Sequence, residues 1–549
     1  MLEHVWRKLR LLVAPPATES AEGYHWEATA AGREFLPHLA DGLRRAAAPG
    51  VTTLKANFQR EVRRAESPAG IAYIKITRVN SPRSFAREML RPPKARLEYD
   101  NAAELQRRGV PTAEPLAVGT RRRGAPSTSV LVTREVAGAV PLSEAPPTRA
   151  LTVGFARALA AMHEAGVDHP DPHPGNFLVN VTADPPTFTV MDVHAVRFSG
   201  PLSWRRTRAA LVLLNRFYQA QGHAPDRLRF WRAYLAARPS LRVDHRAAAL
   251  EVEAATQRSN LRFWTARLSR YTTDNRESRW INASVRPGHL VDGFAERDLH
   301  GPFVSQMLSD PEEVFDSYGT KLLKDSPSST VAAFKLKGVP LIAKRFRVKS
   351  WKVLLKNAFR PTPAVRSWVL GRNLLDRGLP TARPLLMVER FRYGVPREGY
   401  VVFEHLPDAL GLDDAVRANP DRRTLTAWAG EVGRLLRRMH DREVGHRDLK
   451  AANLLMVGVS DPATARPLLI DLVGVTVGRR VPDAQRQRDL GRLAVSFPAG
   501  TLPNAVRVAF LKAYLGPRAG GAWKVWWRAL AVVAAAKVKR NRRRGRPLA

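Results

Sequence analysis

At 549 residues and 61.1 kDa, the chain is too long for a single core of the usual size, about 100–200 residues, and it calls for two to four domains. Hydrophobic residues at 44% and charged residues at 25% exclude wholesale disorder, and the absence of cysteine excludes disulfides, thiolate metal sites and a cysteine nucleophile. The 89 basic residues against 50 acidic ones, +39 formally, point to polyanionic company: nucleic acid, an anionic membrane surface, or a phosphorylated or carboxylated substrate.

Residues 1–13 read as a basic, amphipathic turn that Pro15-Pro16 ends. Neither this segment nor any later one has the pattern of a secretory signal or the roughly 18 apolar residues of a membrane span, so the expected location is cytoplasmic, with room for peripheral attachment to the inner face of the membrane. Residues 70–77 alternate and are β-branched, which predicts a strand carrying Lys75. A helix follows over 98–108, opening on Glu98 and stopped by Gly109. A strand over 130–135 and an amphipathic helix over 151–165 lead to His169-Pro-Asp171. The second half runs through the same series: a strand over 339–346 with Lys344, a helix over 364–377 stopped by Gly378, a strand over 400–404, and a helix over 425–440 leading to His446-Arg-Asp448.

The parallel extends to the residues themselves. Gly109-Val-Pro-Thr-Ala-Glu-Pro-Leu116 and Gly378-Leu-Pro-Thr-Ala-Arg-Pro-Leu385 agree at six of eight positions, and Lys75 and Lys344 each stand 34 residues before their glycine. Met162-His163 and Met439-His440 each have their Met nine residues before Asp171 or Asp448. Asn176 and Asn453 follow those aspartates by five residues, and Asp192 and Asp471 follow them by 21 and 23. Five coincidences in one order predict two homologous modules, 1–290 and 291–549. The expected class is α+β, with each module a small β-rich lobe followed by a mainly helical one.

His446-Arg-Asp-Leu-Lys-Ala-Ala-Asn453 fits the H-R-D-L-x-x-x-N catalytic loop of protein-kinase-like phosphotransferases. In such a loop Asp448 accepts the proton of the attacking hydroxyl, and Asn453 and Asp471 hold Mg²⁺ against the phosphates. Lys344 is the expected ATP lysine, and Lys450, inside the loop, is a further nucleotide contact. In the first module Asp171 takes the base position, Asn176 and Asp192 the metal positions, and Lys75, paired with Glu98, the ATP position. That module is either active or kept for its fold. The place equivalent to Glu98 in the second module is Ser367, so the Lys–Glu pair is expected to be missing there. Asp471 is followed by Leu472-Val473-Gly474 rather than Phe-Gly, and Lys324-Asp-Ser-Pro-Ser-Ser-Thr330 replaces a glycine-rich phosphate loop. A Walker loop is absent, which excludes a P-loop enzyme. His169 and His446 lack paired ligand spacing and read as supports of their loops rather than metal ligands.

At 169–176 and 446–453, with Asp192, Asp471 and the Gly-x-Pro-Thr-Ala-x-Pro-Leu elements, the chain resembles the bacterial lipopolysaccharide kinase family, the Kdo and core heptose kinases of the protein-kinase-like superfamily. The resemblance covers roughly 50–220 and 318–500. It implies tandem bilobal kinase domains, ATP with Mg²⁺ as cofactors, and phosphorylation of a Kdo or heptose hydroxyl in the lipopolysaccharide core. A weaker likeness of 171–176 to the ABC1 atypical kinases lacks their Lys-x-Gly-Gln signature.

The residues bear on the substrate independently. Only 17 residues separate Asp471 from Asp489, too few for a segment that docks a protein substrate, which favours a small molecule or glycolipid. The net charge suits an anionic glycolipid and an anionic membrane surface. The C-terminus, with Trp523, Trp526, Trp527 and a polybasic end over 537–546, reads as an interfacial helix with an electrostatic anchor, or as a final helix packed on its lobe. The arginines and aromatics interleaved over 205–286 read as helix faces in preference to a nucleic-acid surface. Rival readings are a Ser/Thr or other small-molecule kinase and a catalytically inactive pseudokinase scaffold at the membrane.

Overall fold

The structure, a computed structural model, describes residues 20–543 apart from 22–23, 39–42, 44–48, 57–58, 122–127, 222–223 and the single positions 318, 349, 419 and 499. The amphipathic segment 1–13 and the end of the basic tail, 544–546, therefore lie outside the described residues. The chain forms two compact units, Met1–Ser259 and Asn260–Ala549, each mixing helix and strand. The division falls inside the helix His245–Ala266, upstream of the expected 290/291. Its physical reason is a hairpin, Ser278–Arg286 with His289–Glu296, whose second strand hydrogen-bonds to Pro384–Arg392 and so belongs to the second sheet.

Each unit begins with a seven-stranded antiparallel sheet in the same order. In the first unit the strands run Ser20–Ala21, Tyr24–Ala28, Pro115–Arg121, Thr128–Arg134, Gly70–Arg78, Arg60–Ser67, Val51–Ala56. In the second they run Ser278–Arg286, His289–Glu296, Pro384–Arg392, Val395–Glu404, Val339–Arg347, Ser329–Leu336, Lys321–Ser326. The strand pleat sorts the side chains. Ala72, Ile74 and Ile76 go into the sheet's own core with Phe35, Val130 and Val132. Lys75 points to the opposite face, where Leu131 packs with Ala95 and Tyr99 of the helix Lys94–Arg107. Lys344 holds the matching register, opposite Val331 and Val401, as Lys75 lies opposite Val62 and Leu131.

The repeated glycine element joins the sheet to the helical part of each unit. Gly109 and Gly378 adopt φ of 70° and 62° and close their helices in Schellman motifs: Val110 N donates to Leu105 O at 2.9 Å and Leu379 N to Leu374 O at 2.9 Å. The threonines two residues further on donate to strand carbonyls, Thr112 Oγ1 to Val190 O at 2.9 Å and Thr381 Oγ1 to Leu469 O at 2.7 Å. The arginines just before the glycines reach the C-terminal carbonyls of the next long helix. Arg108 donates to Ala165 O at 2.8 Å, beyond the helix Arg149–Glu164, and Arg377 donates to Arg442 O, beyond the helix Arg422–Asp441. A cation suits a helix C-terminus.

The helical parts have their own cores, around Leu159, Phe155 and Tyr234 in the first unit and around Leu435, Met439 and Tyr514 in the second. The arginine- and aromatic-rich stretch folds as the helices Trp204–Gln221, Ala224–Ala236 and His245–Ala266, with Trp264 buried under Arg377. The last helix, Ala519–Arg543, turns Trp523, Trp526, Trp527 and Leu530 onto the second unit's core, while Val525 and Val532 stay exposed. Among the described residues no helix is long and apolar enough to cross a membrane.

Near the ends of the two long helices, buried His163 and His440 meet tyrosine hydroxyls, Tyr234 at 2.7 Å and Tyr514 at 2.8 Å from Nδ1. Burial lowers both imidazoles, His163 to about 3. The unfolded chain takes up near pH 6.5 a proton that folded His163 refuses until about pH 3. This group therefore costs nothing above the upper value, and stability falls as the pH drops between the two. His163→Asn should flatten the pH dependence of urea unfolding in that window by one proton, about 1.4 kcal/mol per pH unit. An unchanged slope would mean that His163 titrates normally in the fold.

Candidate active site

In each unit the loop after the long helix is pinned between two short strand pairs. Val167–Asp168 pairs with Arg197–Phe198, and Phe177–Asn180 with Thr187–Val190. In the second unit the pairs are Val444–His446 with Val475–Val477 and Leu454–Val457 with Arg466–Leu469. The polar residues singled out in the sequence sit between these strands. Asn176 Nδ2 donates to Asp171 O at 2.8 Å and to its Oδ2 at 3.3 Å; Asn453 Nδ2 donates to Asp448 O at 2.7 Å and to its Oδ2 at 3.4 Å. Each asparagine thereby leaves its side-chain oxygen uncommitted to the loop and holds its aspartate in place.

The histidines hold the loops from below. His169 is buried, accepts from Asp171 N at 3.1 Å through Nδ1, and lies 3.0 Å from Met191 O through Nε2, which fixes the Nε2–H tautomer. His446 is buried and accepts from Asp448 N at 3.3 Å. Burial depresses both below the ordinary histidine value, so both act as neutral struts. His173 accepts from Gly175 N at 3.0 Å, and Lys450 Nζ stands 3.5 Å from Asp448 Oδ2.

Asp192 and Asp471 share a left-handed backbone, φ 54° and 55°, each opening a short 3₁₀ turn. That conformation costs roughly 1–2 kcal/mol for a residue with a Cβ, and such strain gathers at functional positions. Lys344 Nζ reaches Asp471 Oδ1 at 2.9 Å. Burial raises the Asp471 carboxyl, but Lys344 beside it, with Lys324 and Lys450 further off, brings it net below the ordinary aspartate value. In the first unit Lys75 pairs instead with Glu98, both buried. Asp192 there is bonded by His194 Nδ1 at 2.9 Å and faces Arg60 at 3.7 Å, and His194, then Arg60 and Lys75, hold it well below the carboxylate range. Arg60 lies opposite Thr77 in the sheet, and the register equivalent in the second unit, opposite Phe346, is Ser329.

The second unit therefore brings together Lys344, Asp471, Asn453, Asp448 and Lys450, and the first brings together Lys75, Glu98 and Asp192, and Asp171 with Asn176. Ser367, at the Glu98 position, bonds back to Pro363 O at 2.8 Å and, among the described residues, pairs with no lysine. Its helix, Pro363–Asp376, is bolted down by the neighbouring Trp368, fully buried, with its indole N–H on Tyr271 O at 2.6 Å and Arg372 stacked at 4.2 Å. The segment in the phosphate-loop position is a hairpin turn whose hydroxyls are largely used internally: Ser326 Oγ donates to Ser329 O at 2.8 Å and Thr330 Oγ1 to Asp325 Oδ1 at 2.7 Å. Among the described residues no group of three or more His, Cys, Asp or Glu forms a metal cluster.

Sequence reasoning used Asp489 only to measure the segment after Asp471 and missed its role. Wholly buried on the helix Asp483–Ala494, it accepts from His446 N at 3.1 Å, Gln485 Nε2 at 2.7 Å and Arg492 at 2.7 Å. It anchors the backbone of the loop that carries Asp448. Its sequence signal was an acid at an apolar-side position of an arginine-rich helix, six residues after the exposed Asp483. The first unit's helix Trp204–Gln221 carries no acidic residue at all.

The model of the lipopolysaccharide kinase (Kdo/WaaP) family matches residues 61–234 and 328–514, well over half of the chain. The chain belongs to that family. A 3-deoxy-D-manno-octulosonic acid kinase of Xylella fastidiosa (strain M12) is 34% identical over 137 residues, 25% of this chain and 50% of that protein. The lipopolysaccharide core heptose(I) kinase WaaP of Pseudomonas aeruginosa is 33% identical over 158 residues, 26% of this chain and 59% of that protein. The chain thus spans about half the length of the curated relatives it matches. A solved structure of WaaP in complex with acyl carrier protein matches 44% of this chain and 97% of its own at 21% identity, with a TM-score of 0.33.

If Asp489 anchors the loop, Asp489→Ala should cost the second unit about 3 kcal/mol, since it strands several buried donors at once. Urea unfolding of the full chain measures this, and a loss under about 1 kcal/mol would show that the loop holds without it.

Proposed function

We propose that the protein is an ATP-dependent kinase that phosphorylates a sugar hydroxyl, Kdo or heptose, of the lipopolysaccharide core, built as two tandem bilobal kinase domains of which the second turns over. The observation that carries this reading is the convergence in the second unit of Lys344 on Asp471 and of Asn453 on Asp448. Asp448 has a side chain 62% exposed, open to an acceptor, and takes the hydroxyl proton as the oxygen attacks the γ-phosphorus. The bond from that phosphorus to the bridging oxygen breaks, and ADP leaves. Lys344 holds the nucleotide phosphates, with Lys450 as a further cation beside the transferring group.

The side-chain oxygens of Asn453 and Asp471 are hard donors of the kind Mg²⁺ takes, with phosphate and water completing the set. Bound there, the ion would neutralise charge on the phosphates. In the first unit Arg60 and His194 already supply cationic or donor partners to Asp192, which supports a nucleotide-binding rather than a transferring role, with Lys75 and Glu98 as the phosphate contact and Asp171 and Asn176 retained around it. The names of the relatives support the sugar acceptor. The net charge of +39 and the basic end of the last helix support peripheral contact with an anionic membrane on the cytoplasmic side.

Mass spectrometry of core oligosaccharide incubated with the protein, ATP and Mg²⁺ tests this. The expected result is a gain of one phosphate, reduced about 10³-fold or more by Asp448→Asn and much less by Asp171→Asn. The opposite pattern assigns turnover to the first unit. No phosphate gain with any core sugar sinks the reading.

A further inference from the structure

The second unit holds a cavity of about 760 Å³ behind its catalytic loop, between the helix Pro363–Asp376, the strands Val444–His446 and Val475–Val477, and the start of the helix Asp483–Ala494. Five arginines line it, Arg366, Arg447, Arg479, Arg480 and Arg488, and among the described residues no carboxylate does. Arginines pointing elsewhere from the same two helices are ion-paired: Arg372 with Glu296 at 2.9 Å, Arg486 with Asp441 at 2.8 Å and Arg492 with Asp489 at 2.7 Å. Those facing the cavity are bonded to neutral oxygens where a bond is formed, Arg366 to Val475 O at 3.1 Å and Arg488 to Gln485 Oε1 at 2.9 Å. Burial and the nearby Arg447 lower the guanidinium of Arg366.

Arg366 is half-buried and the other four are exposed; the five like charges repel one another through a partly screening solvent, and an anion between them relieves that cost. The fork of N–H groups on each guanidinium matches a phosphate in particular. The fold does not demand this arrangement. In the first unit Leu97 and Pro170 occupy the positions of Arg366 and Arg447, counted from the shared glycine and the shared aspartate.

The geometry points to a phosphomonoester-binding site in the second unit, separate from the Lys344–Asp471 contact. Arg447 precedes Asp448 in the chain, so the site adjoins the loop that would receive the acceptor. Its use by an acceptor that already bears a phosphate rests on the proposed phosphotransfer, whereas its affinity for phosphate does not.

The test uses the full chain saturated with ADP, so that the nucleotide contacts are filled, and follows inorganic phosphate binding by equilibrium dialysis at constant ionic strength. The Arg479→Ser/Arg480→Ser variant should bind about tenfold more weakly than the wild type, and Arg488→Gln should lose affinity in the same direction. Arg542→Ser/Arg543→Ser, on the last helix, should leave binding unchanged. Equal binding by the wild type and both cavity variants overturns the proposal. Core oligosaccharide with and without its own phosphates then serves as competitor. Displacement by the phosphorylated form alone identifies the acceptor as the source of the phosphate. Displacement by neither, with binding still lost in the variants, identifies a free-phosphate site. Phosphate binding retained in a protein that phosphorylates no sugar would sink the kinase reading and leave the site standing.

Discussion

The geometry of each unit depends on one short strap, the Arg-Gly-x-Pro-Thr-Ala element between the sheet's helix and its next strand. Two side-chain bonds and one backbone reversal tie three elements together. The arginine reaches the end of the long helix, the glycine reverses the chain in a left-handed turn, and the threonine takes a carbonyl of the strand that leads to Asp192 or Asp471. The lysine on the sheet and the aspartate on the loop belong to different layers. Their approach, 2.9 Å in the second unit, requires those layers to be fixed in height to within a fraction of an ångström. Loss of the strap would leave both residues present and neither in reach.

With that frame held in common, the units differ in how they spend their buried charge. The first puts a lysine–glutamate pair inside and leaves its aspartate to Arg60 and His194. The second has no helix carboxylate at that place. Trp368 supplies the packing that holds the helix, and Lys344 turns to Asp471. A buried ion pair must offset a large desolvation penalty, while a well-packed indole with its N–H satisfied carries none for charge. The second unit then invests a buried carboxylate, Asp489, in the backbone of its loop. Its charge economy thus favours rigidity of the loop, and that of the first favours a preformed lysine.

The excess of basic residues is organised by the same logic. Many arginines satisfy carbonyl oxygens or carboxylates of the fold itself, as Arg377 and Arg238 do while fully buried. The cavity behind the second unit's 446–453 loop collects cations with no carboxylate among its described lining residues, and the last helix ends in exposed basic side chains. Both groups have charge available to an outside partner, whereas the arginines spent inside the fold do not, so a net charge of +39 overstates how much of the surface is free to recruit one.

By itself the sequence determined what is local or repeated. The lysine strands, the helices that stop at Gly109 and Gly378, and the loops at 169–176 and 446–453 were legible because strand alternation, helix stops and fixed spacings are written along the chain. So was the family. The expected boundary at 290/291 cut through the hairpin 278–296, because a strand's partner lies far away in sequence and its own pattern cannot name it. Asp489, Trp368 and the arginine cavity were decided by the tertiary structure alone. Each acts through burial and through neighbours up to about a hundred residues away, as Trp368 does on Tyr271, and no short window of sequence contains both partners of such a contact.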